Sequence, residues 1–81
     1  MDMHRLRCVV SLARLRNVTR AAEENFVAQS TMSSTISAVE SELGCKLFIR
    51  KNRSVELTDA GKAFADAAAN ILALYDAACA E

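Results

Sequence analysis

The sequence predicts a mainly α-helical fold in which three short helices and a small two-stranded hairpin precede one long helix. Pro is absent and Gly occurs only twice in 81 residues, which favours helices over tight turns. Apolar residues recur at helical spacing through most of the chain, and this period changes only over residues 45–57. The last part of the chain is rich in Ala, the strongest helix former, and keeps a helical pattern to its end.

The composition is that of one small globular domain, with 52% apolar and 25% charged residues. The formal net charge is zero, but residues 1–62 hold all ten basic residues and seven of the ten acidic ones. Residues 63–81 hold the other three acidic residues and no basic residue. We therefore expect the first part of the chain, and not its tail, to meet a polyanion.

Several classes of function find no support in the sequence. The three cysteines have no metal-ligand or C-x-x-C spacing, which indicates reduced thiols in a cytoplasmic protein. His4 is the only histidine, and neither a catalytic motif nor a phosphate-binding loop occurs. No apolar run approaches the ~18 residues of a membrane span, and no signal-peptide pattern follows the start. We expect a protein that is not an enzyme and has no metal, cofactor or membrane partner.

The first helix is expected from about Met3 to Leu15, with Asp2 as its N-cap. Four apolar residues at i, i+3, i+4 and i+7 form one face, namely Leu6, Val9, Val10 and Ala13. Cys8 and Leu12 lie off this stripe, and we expect them on a second, less buried surface.

The second helix is expected to begin at Asn17 or Thr19, both of which are good caps, and to end near Asn25. Val18 and Phe26 flank this segment, and we expect both to serve as apolar plugs.

The third helix is expected within "VAQSTMSSTISAVESELG", residues 27–44, which contains seven hydroxyl side chains and no Lys or Arg. Its apolar stripe has spacings of four, three and four and consists of Met32, Ile36, Val39 and Leu43. Gly44 suits the C′ position, where positive φ is common. The hydroxyls must therefore occupy the other faces of the helix. Ala28 is a poor N-cap, so the first-turn amides lack a side-chain partner, which either bound water or a phosphate group could supply.

Residues 45–57 predict two short strands joined by a basic turn. An apolar run, Leu47-Phe48-Ile49, comes before the turn, and Val55 and Leu57 alternate with polar residues after it. We call residues 50–54 the wing. Its basic residues are Arg50, Lys51 and Arg53.

Thr58 is a good cap for the last helix, which is expected to run to the end of the chain. A short heptad seam predicts packing on the same domain and on a second copy, and its members are Phe64, Ala68, Ile71, Tyr75 and Ala78.

The second and third helices, joined by residues 26–28, form a candidate helix-turn-helix, and the basic turn makes it a candidate winged helix-turn-helix. The start of the third helix would enter the major groove and contact bases with Gln29, Ser30, Thr31, Ser33 and Ser34. Contacts to the DNA backbone or minor groove are expected from Thr19, Arg20, Thr35, Arg50, Lys51 and Arg53. Further attraction to phosphates is expected from Arg14, Arg16, Lys46 and Lys62.

Spacing alone leaves two other interpretations open. The third helix could be an ordinary surface helix with polar faces, and the basic turn a solvated charge cluster. The whole chain could then be an α-helical dimerisation or protein-interaction module that does not bind DNA. The Ala-rich last helix and the neutral net charge favour that alternative, whereas the basic turn and the hydroxyls do not.

Two stretches, "RLRCVVSLARLRNVTRAAEENFVAQSTMS" and "ISAVESELGCKLFIRKNRSVELTDAG", resemble the N-terminal DNA-binding region of LysR-type transcriptional regulators. The resemblance implies a winged helix-turn-helix over residues 1–57 and a linker and dimerisation helix over residues 58–81. It implies a homodimer on double-stranded DNA, with any small-molecule effector bound by a C-terminal domain that this chain lacks. The chain would then be a fragment that ends with the linker helix.

The resemblance also assigns individual positions. It implies base contacts by Gln29, Ser30, Ser33 and Ser34, and a wing contact by Arg53. The family often has Pro where Ser30 stands and Arg where Ser34 stands, and basic residues are common at positions 37 and 38. Leu is usual at Asn25. This recognition helix therefore lacks positive charge that its relatives carry, which suggests a different operator sequence.

Overall fold

The computed structural model describes residues 1–52 and 54–80, so Arg53, the predicted wing contact, lies outside the described residues. The predicted fold class is confirmed: helices and one two-stranded antiparallel sheet follow each other in the expected order. The elements are α1 (Met3–Leu15), α2 (Val18–Glu24), α3 (Gln29–Leu43), β1 (Phe48–Arg50), β2 (Val55–Leu57) and α4 (Asp59–Cys79). Among the described residues, no helix combines the length and the apolarity that a membrane span requires.

Side-chain caps set the start of three of the helices. Asp2, Asn17 and Thr58 each accept a hydrogen bond of 2.9 Å from the backbone N–H three residues later. Asn17, and not Thr19, therefore caps α2, which leaves the Thr19 hydroxyl free for another contact. Each cap satisfies one of the amides that a helix start leaves without an intrahelical partner.

Helix α1 lies at the centre of the fold and packs against α2, α3 and α4. The prediction for its off-stripe residues was wrong: Cys8 and Leu12 are 0% and 2% exposed, whereas Val10 and Ala13 are only partly buried. The reason is that α1 is covered on two sides, so one apolar stripe does not describe it. The larger core cluster joins α1 to α2, α3, the sheet and α4, and a smaller one contains Leu6, Ala68 and Leu72.

Helix α3 is anchored by three of its four predicted core residues, Met32, Ile36 and Val39. The fourth, Leu43, is 40% exposed, so that prediction was wrong. Glu40 is buried instead, because its Oε2 accepts hydrogen bonds from the backbone N–H groups of Leu47 (2.8 Å) and Phe48 (3.1 Å). This carboxylate attaches α3 to the start of β1. Gly44 ends the helix with a φ of 75°, as predicted.

The hairpin is held at both ends by backbone hydrogen bonds. The amide of Val55 donates to the Arg16 carbonyl at 3.1 Å, and the amide of Thr58 donates to the Leu47 carbonyl at 3.0 Å. A side chain at Gly61 would collide with that same Leu47 carbonyl, so only glycine lets α4 begin this close to the sheet. The hairpin therefore has a fixed position beside the α1–α2 connection.

The predicted seam of α4 divides between two faces. Ala68 is 1% exposed and packs with Leu6 and Leu72 of the same chain, and Phe64 is half-buried against both core clusters. The predicted packing on the same domain therefore holds for both side chains; Ala68 has no surface left for a second copy, whereas a contact of Phe64 with a second copy stays a prediction. Periodicity could not distinguish the faces, because α4 is apolar both toward α1 and away from it. Ile71 and Tyr75 are 45% and 46% exposed, and Ala78 is exposed.

The turn between α2 and α3 differs from the prediction. Phe26 is 95% exposed and is not an apolar plug. Its φ of 58° lies in the left-handed region, which turns the side chain outward into solvent. Asn25 is instead held by its own amide, which donates to Ser11 Oγ at 2.9 Å and to the Ala21 carbonyl at 2.8 Å. Phe26 therefore adds nothing to the packing of α2 on the core.

Candidate nucleic-acid interface

The first two turns of α3 present polar side chains on the surface of the molecule. Because Met32 and Ile36 face the core, the opposite side of the helix is directed outward. Ala28 forms no side-chain cap, as predicted, so the first-turn amides are open to solvent or to an anion. Of the predicted base-contacting residues, Ser33 is partly buried and the others are exposed: Gln29, Ser30, Thr31 and Ser34.

A cleft of about 380 Å³ separates the starts of α2 and α3 from the hairpin. Four predicted site residues line it, namely Thr19, Gln29, Arg50 and Lys51. Asn17 and Asn52 also line the cleft and were missed as site residues. The sequence showed Asn17 only as a cap, and its place in the cleft depends on the hydrogen bond that ties the hairpin to Arg16.

Two side-chain contacts join the outer surface of α3 to its neighbours. Arg50 Nη2 donates to Ser33 Oγ at 2.9 Å, and Thr19 Oγ1 donates to Gln29 Oε1 at 3.3 Å. The first contact links the hairpin to the recognition helix, and the second links α2 to it. Four of the predicted site residues therefore meet in two pairs, although 17 and 10 positions separate the partners in sequence.

The predicted phosphate-contacting cations differ in how far their charge is already paired. Arg14 pairs with Glu24, Lys46 lies 3.8 Å from Glu40, and Lys51 lies 3.9 Å from Glu56. All three cations are well exposed, although the Glu40 partner of Lys46 is buried. The Arg14 and Lys51 pairs are exposed on both sides and contribute ~0–1 kcal/mol, so a phosphate could compete for these cations. Four other cations form no salt bridge with any carboxylate of residues 1–52 and 54–80, namely Arg16, Arg20, Arg50 and Lys62.

A separate ion pair fixes α4 on α1. Arg7 donates to both carboxylate oxygens of Asp76, at 2.7 Å and 3.3 Å. The hydrogen bond from Arg7 lowers the pKa of Asp76 below its usual range, and the same bond raises the pKa of Arg7. Neither residue lines the cleft, so this pair holds the long helix and does not belong to the candidate interface.

The described residues offer little for catalysis or metal binding. Within residues 1–52 and 54–80, no group of three or more His, Cys, Asp or Glu side chains is placed to hold a metal ion. His4 Nε2 lies 3.7 Å from Cys8 Sγ, but burial raises the pKa of the Cys8 thiol. A buried thiol with a raised pKa is a poor nucleophile.

This chain is similar to known regulators in both sequence and structure. The family model for bacterial regulatory helix-turn-helix proteins of the lysR family matches residues 3–62. The HTH-type transcriptional regulator BudR of Klebsiella aerogenes is 47% identical over 78 residues, which are 96% of this chain and 54% of that protein. CitR of Bacillus subtilis (strain 168) is 38% identical over 81 residues, which are 100% of this chain and 28% of that protein.

Two similar solved structures contain DNA. The DNA-binding domain of CbnR in complex with DNA is 33% identical and has a TM-score of 0.91, over 96% of this chain and 90% of that one. The DNA-binding domain of BenM with its catB site 1 DNA is 31% identical and has a TM-score of 0.93, over 99% and 89%. The chain thus spans almost all of two isolated DNA-binding domains, but only 54% and 24% of the first two curated relatives.

Proposed function

This chain belongs to the LysR family of bacterial regulatory helix-turn-helix proteins, and from that premise we propose how it binds DNA in a sequence-specific manner. Helix α3, Gln29–Leu43, lies in the major groove, and the wing, residues 50–54, lies on the backbone or in the minor groove. The relatives are transcriptional regulators and not enzymes. The chain acts in the same way, as the DNA-binding part of a transcriptional regulator.

One observation supports this proposal above the others: the exposed polar start of α3 lies directly beside the hairpin. The 2.9 Å contact from Arg50 to Ser33 joins the two elements. A major groove about 12 Å wide admits one helix, so a neighbouring basic hairpin reaches the backbone that borders the groove. Discrimination between bases comes from the side chains that α3 presents there, Gln29, Ser30, Thr31, Ser33 and Ser34.

Phosphate binding comes from the elements around α3. Arg50 and Lys51 lie in the cleft beside the start of α2, where Thr19 and Arg20 add a hydroxyl and a cation. Such contacts fix the orientation of a protein on the duplex and make its affinity dependent on salt. Thr35 contributes from the flank of α3, and Arg53 from the wing.

We also propose that two copies associate through the part of α4 that leaves the core. Leu72 is the last residue of α4 in a core cluster, and beyond it Leu74 is 74% exposed. Ile71, Leu74, Tyr75 and Ala78 offer an apolar surface that water would otherwise cover. Residues 1–57 then form the DNA-binding unit and residues 58–81 the linker and dimerisation helix. In the whole protein, a C-terminal domain would bind any small-molecule effector.

The alternative is a helical interaction module that does not bind DNA. It accounts for the exposed side of α4, but it gives no role to the polar cleft or to the hydroxyls gathered beside it. The two alternatives predict different responses to salt, because phosphate contacts release counterions and apolar contacts do not.

Selection from a random DNA pool, followed by salt titration on the selected duplex, tests the proposal. We expect Gln29→Ala to lose ~1–3 kcal/mol of discrimination at one base pair. Ser41→Ala, an exposed change farther along α3, should retain it. Arg53→Ala should lower the slope of log affinity against log salt by about one. Selection that enriches no sequence, or binding that does not respond to salt, would favour the alternative.

A further inference from the structure

The contact between Arg50 and Ser33 determines more than the position of the hairpin. A guanidinium has only N–H donors and cannot accept a hydrogen bond. The Ser33 oxygen must therefore be the acceptor in the 2.9 Å bond with Arg50 Nη2. A serine hydroxyl has one hydrogen and two lone pairs, so this bond occupies a lone pair and leaves the hydrogen available.

A bond from a cation also changes the strength of the hydroxyl as a partner. Hydrogen bonds in a chain polarise one another, so a hydroxyl that accepts from a guanidinium becomes a better donor and a poorer acceptor. Ser33 itself is partly buried, and the contact with the exposed Arg50 lies at the surface, where DNA can reach it. The contact thus favours one direction for any bond that Ser33 makes to DNA.

A second contact of the same kind lies one turn earlier on α3. Thr19 Oγ1 donates to Gln29 Oε1 at 3.3 Å, which occupies an acceptor site of the Gln29 amide and leaves its two N–H donors free. Helix α2 therefore supplies a donor to Gln29, and the hairpin supplies one to Ser33. Both acceptors are predicted base-contacting residues, one turn apart on α3. On these two side chains the bonds occupy one lone pair of each oxygen and leave every hydrogen, the Ser33 O–H and both Gln29 N–H groups, available for donation.

From this geometry we propose that Arg50 is a positioning residue for specificity, which fixes Ser33 as a hydrogen-bond donor toward a base acceptor. The acceptors in the major groove are purine N7, guanine O6 and thymine O4, whereas adenine N6 and cytosine N4 are donors. Helix α3 then selects an acceptor opposite Ser33 and disfavours an amino group there. This inference rests on the proposed function, because it presumes that α3 lies in the major groove.

The test uses the whole 81-residue chain and a duplex selected from a random pool. Each position of the duplex is replaced in turn by an analogue that lacks one acceptor: 7-deazapurines, 2-aminopurine for guanine, or 5-methyl-2-pyrimidinone for thymine. At one position we expect the wild-type chain to bind about 3- to 10-fold more weakly, the effect of one lost hydrogen bond. Ser33→Ala should bind both duplexes equally, because it has no hydroxyl to lose a partner.

Arg50→Met removes the donor and keeps most of the side-chain volume. The ratio of its affinity for the natural duplex to its affinity for the acceptor-deleted duplex should therefore shrink toward one. Lys51→Met is the matched control, because it removes one neighbouring positive charge and leaves Ser33 and Arg50 in contact. It should weaken binding to both duplexes alike and preserve the ratio. Circular dichroism confirms that each variant is folded, and Ser33→Ala tests the donor assignment even if Arg50→Met is unstable.

Three outcomes would overturn the proposal. Ser33→Ala could respond to every acceptor-deleted analogue as the wild type does. The loss of affinity that depends on Ser33 could appear instead with analogues that lack an amino group, namely purine in place of adenine or 2-pyrimidinone in place of cytosine. Arg50→Met could keep the same ratio as Lys51→Met. A wild-type chain that prefers one sequence but shows any of these results refutes only this inference, whereas a chain with no sequence preference refutes the proposed function and this inference together.

Discussion

Replacing the buried carboxylate of Glu40 tests how firmly the recognition helix is attached to the hairpin. Glu40 is 9% exposed, and its Oε2 accepts from the amides of Leu47 and Phe48, which are 0% and 7% exposed. Glu40→Ala leaves both amides without a partner in a place that water cannot easily reach. Each unsatisfied buried group costs ~1–3 kcal/mol, so we expect a loss of ~2–6 kcal/mol in the free energy of unfolding.

That loss is large compared with the stability of a domain of this size. At ~0.05–0.15 kcal/mol per residue, the whole chain is stable by ~4–12 kcal/mol. Glu40→Gln keeps a carbonyl oxygen for the two amides and loses only the negative charge. Because charge-assisted bonds exceed neutral ones by ~1 kcal/mol each, we expect it to cost ~1–2 kcal/mol.

Urea unfolding followed by far-UV circular dichroism measures these differences, at several protein concentrations because association would add to the apparent stability. Glu42→Ala is the control on the same helix. Its carboxylate is 43% exposed and pairs with the N-terminus and Arg5 at 3.2 Å and 3.5 Å, so its loss should cost less than ~1 kcal/mol. The reasoning is refuted if Glu40→Ala costs no more than Glu42→Ala, or if Glu40→Gln costs as much as Glu40→Ala.

Three further predictions concern the turn, the surface carboxylates and α4. Phe26 has a φ of 58°, so Phe26→Gly should unfold at a higher temperature than Phe26→Val, by the equivalent of ~1 kcal/mol; equal melting temperatures would contradict the left-handed conformation. The Arg5 amide lowers the pKa of Asp2, and the Arg7 guanidinium lowers that of Asp76, each from a usual 3.8. Their contribution to stability is therefore complete above about pH 5 and is lost as the pH falls through the lowered values, and Asp76→Asn should flatten the dependence of the urea midpoint on pH in that acid range. Leu74 is 74% exposed, so Leu74→Asp should convert the proposed dimer to monomer in sedimentation, whereas Asn70→Asp, an equal change of charge on the same helix, should not.

Local signals predicted the ends of the elements well. A cap acts on an amide three residues away, and a helical stripe repeats within two turns, so both are visible in a short window of sequence. Asp2, Thr58 and Gly44 were identified in this way and have the expected geometry. The change of period over residues 45–57 likewise predicted the hairpin.

Tertiary contacts were not predictable from the same signals. Glu40 is buried because its partners lie seven and eight residues ahead, at the start of a strand whose position the helix pattern does not contain. Leu43 was expected inside because it continues the stripe, but the stripe does not show where the covering elements end. Ala68 satisfies a heptad seam and an intramolecular core equally well, and only the packing on α1 distinguishes them.

In the candidate site, too, local features were predictable from the sequence and tertiary contacts were not. The exposure of Gln29 and Ser34 followed from the inward stripe of α3, because a helix that buries one face must expose the opposite one. The partners of Gln29 and Ser33 did not follow, because Thr19 and Arg50 come from other elements. Residue types thus predicted which groups are available, and only the fold shows which of their atoms are already bonded.

The absence of Lys and Arg from α3 separates two properties that a basic recognition helix combines. Under the proposed function, affinity for phosphates would depend on the surrounding elements, and discrimination would depend on neutral hydrogen bonds in the groove. A change at Lys51 should alter the salt slope and not the base preference, and a change at Gln29 should do the opposite. Arg50 differs from both, because its guanidinium adds charge beside the groove and also bonds to Ser33. We therefore expect Arg50→Met to lower the salt slope and the base discrimination together, and a change in only one of them would assign Arg50 to that property alone.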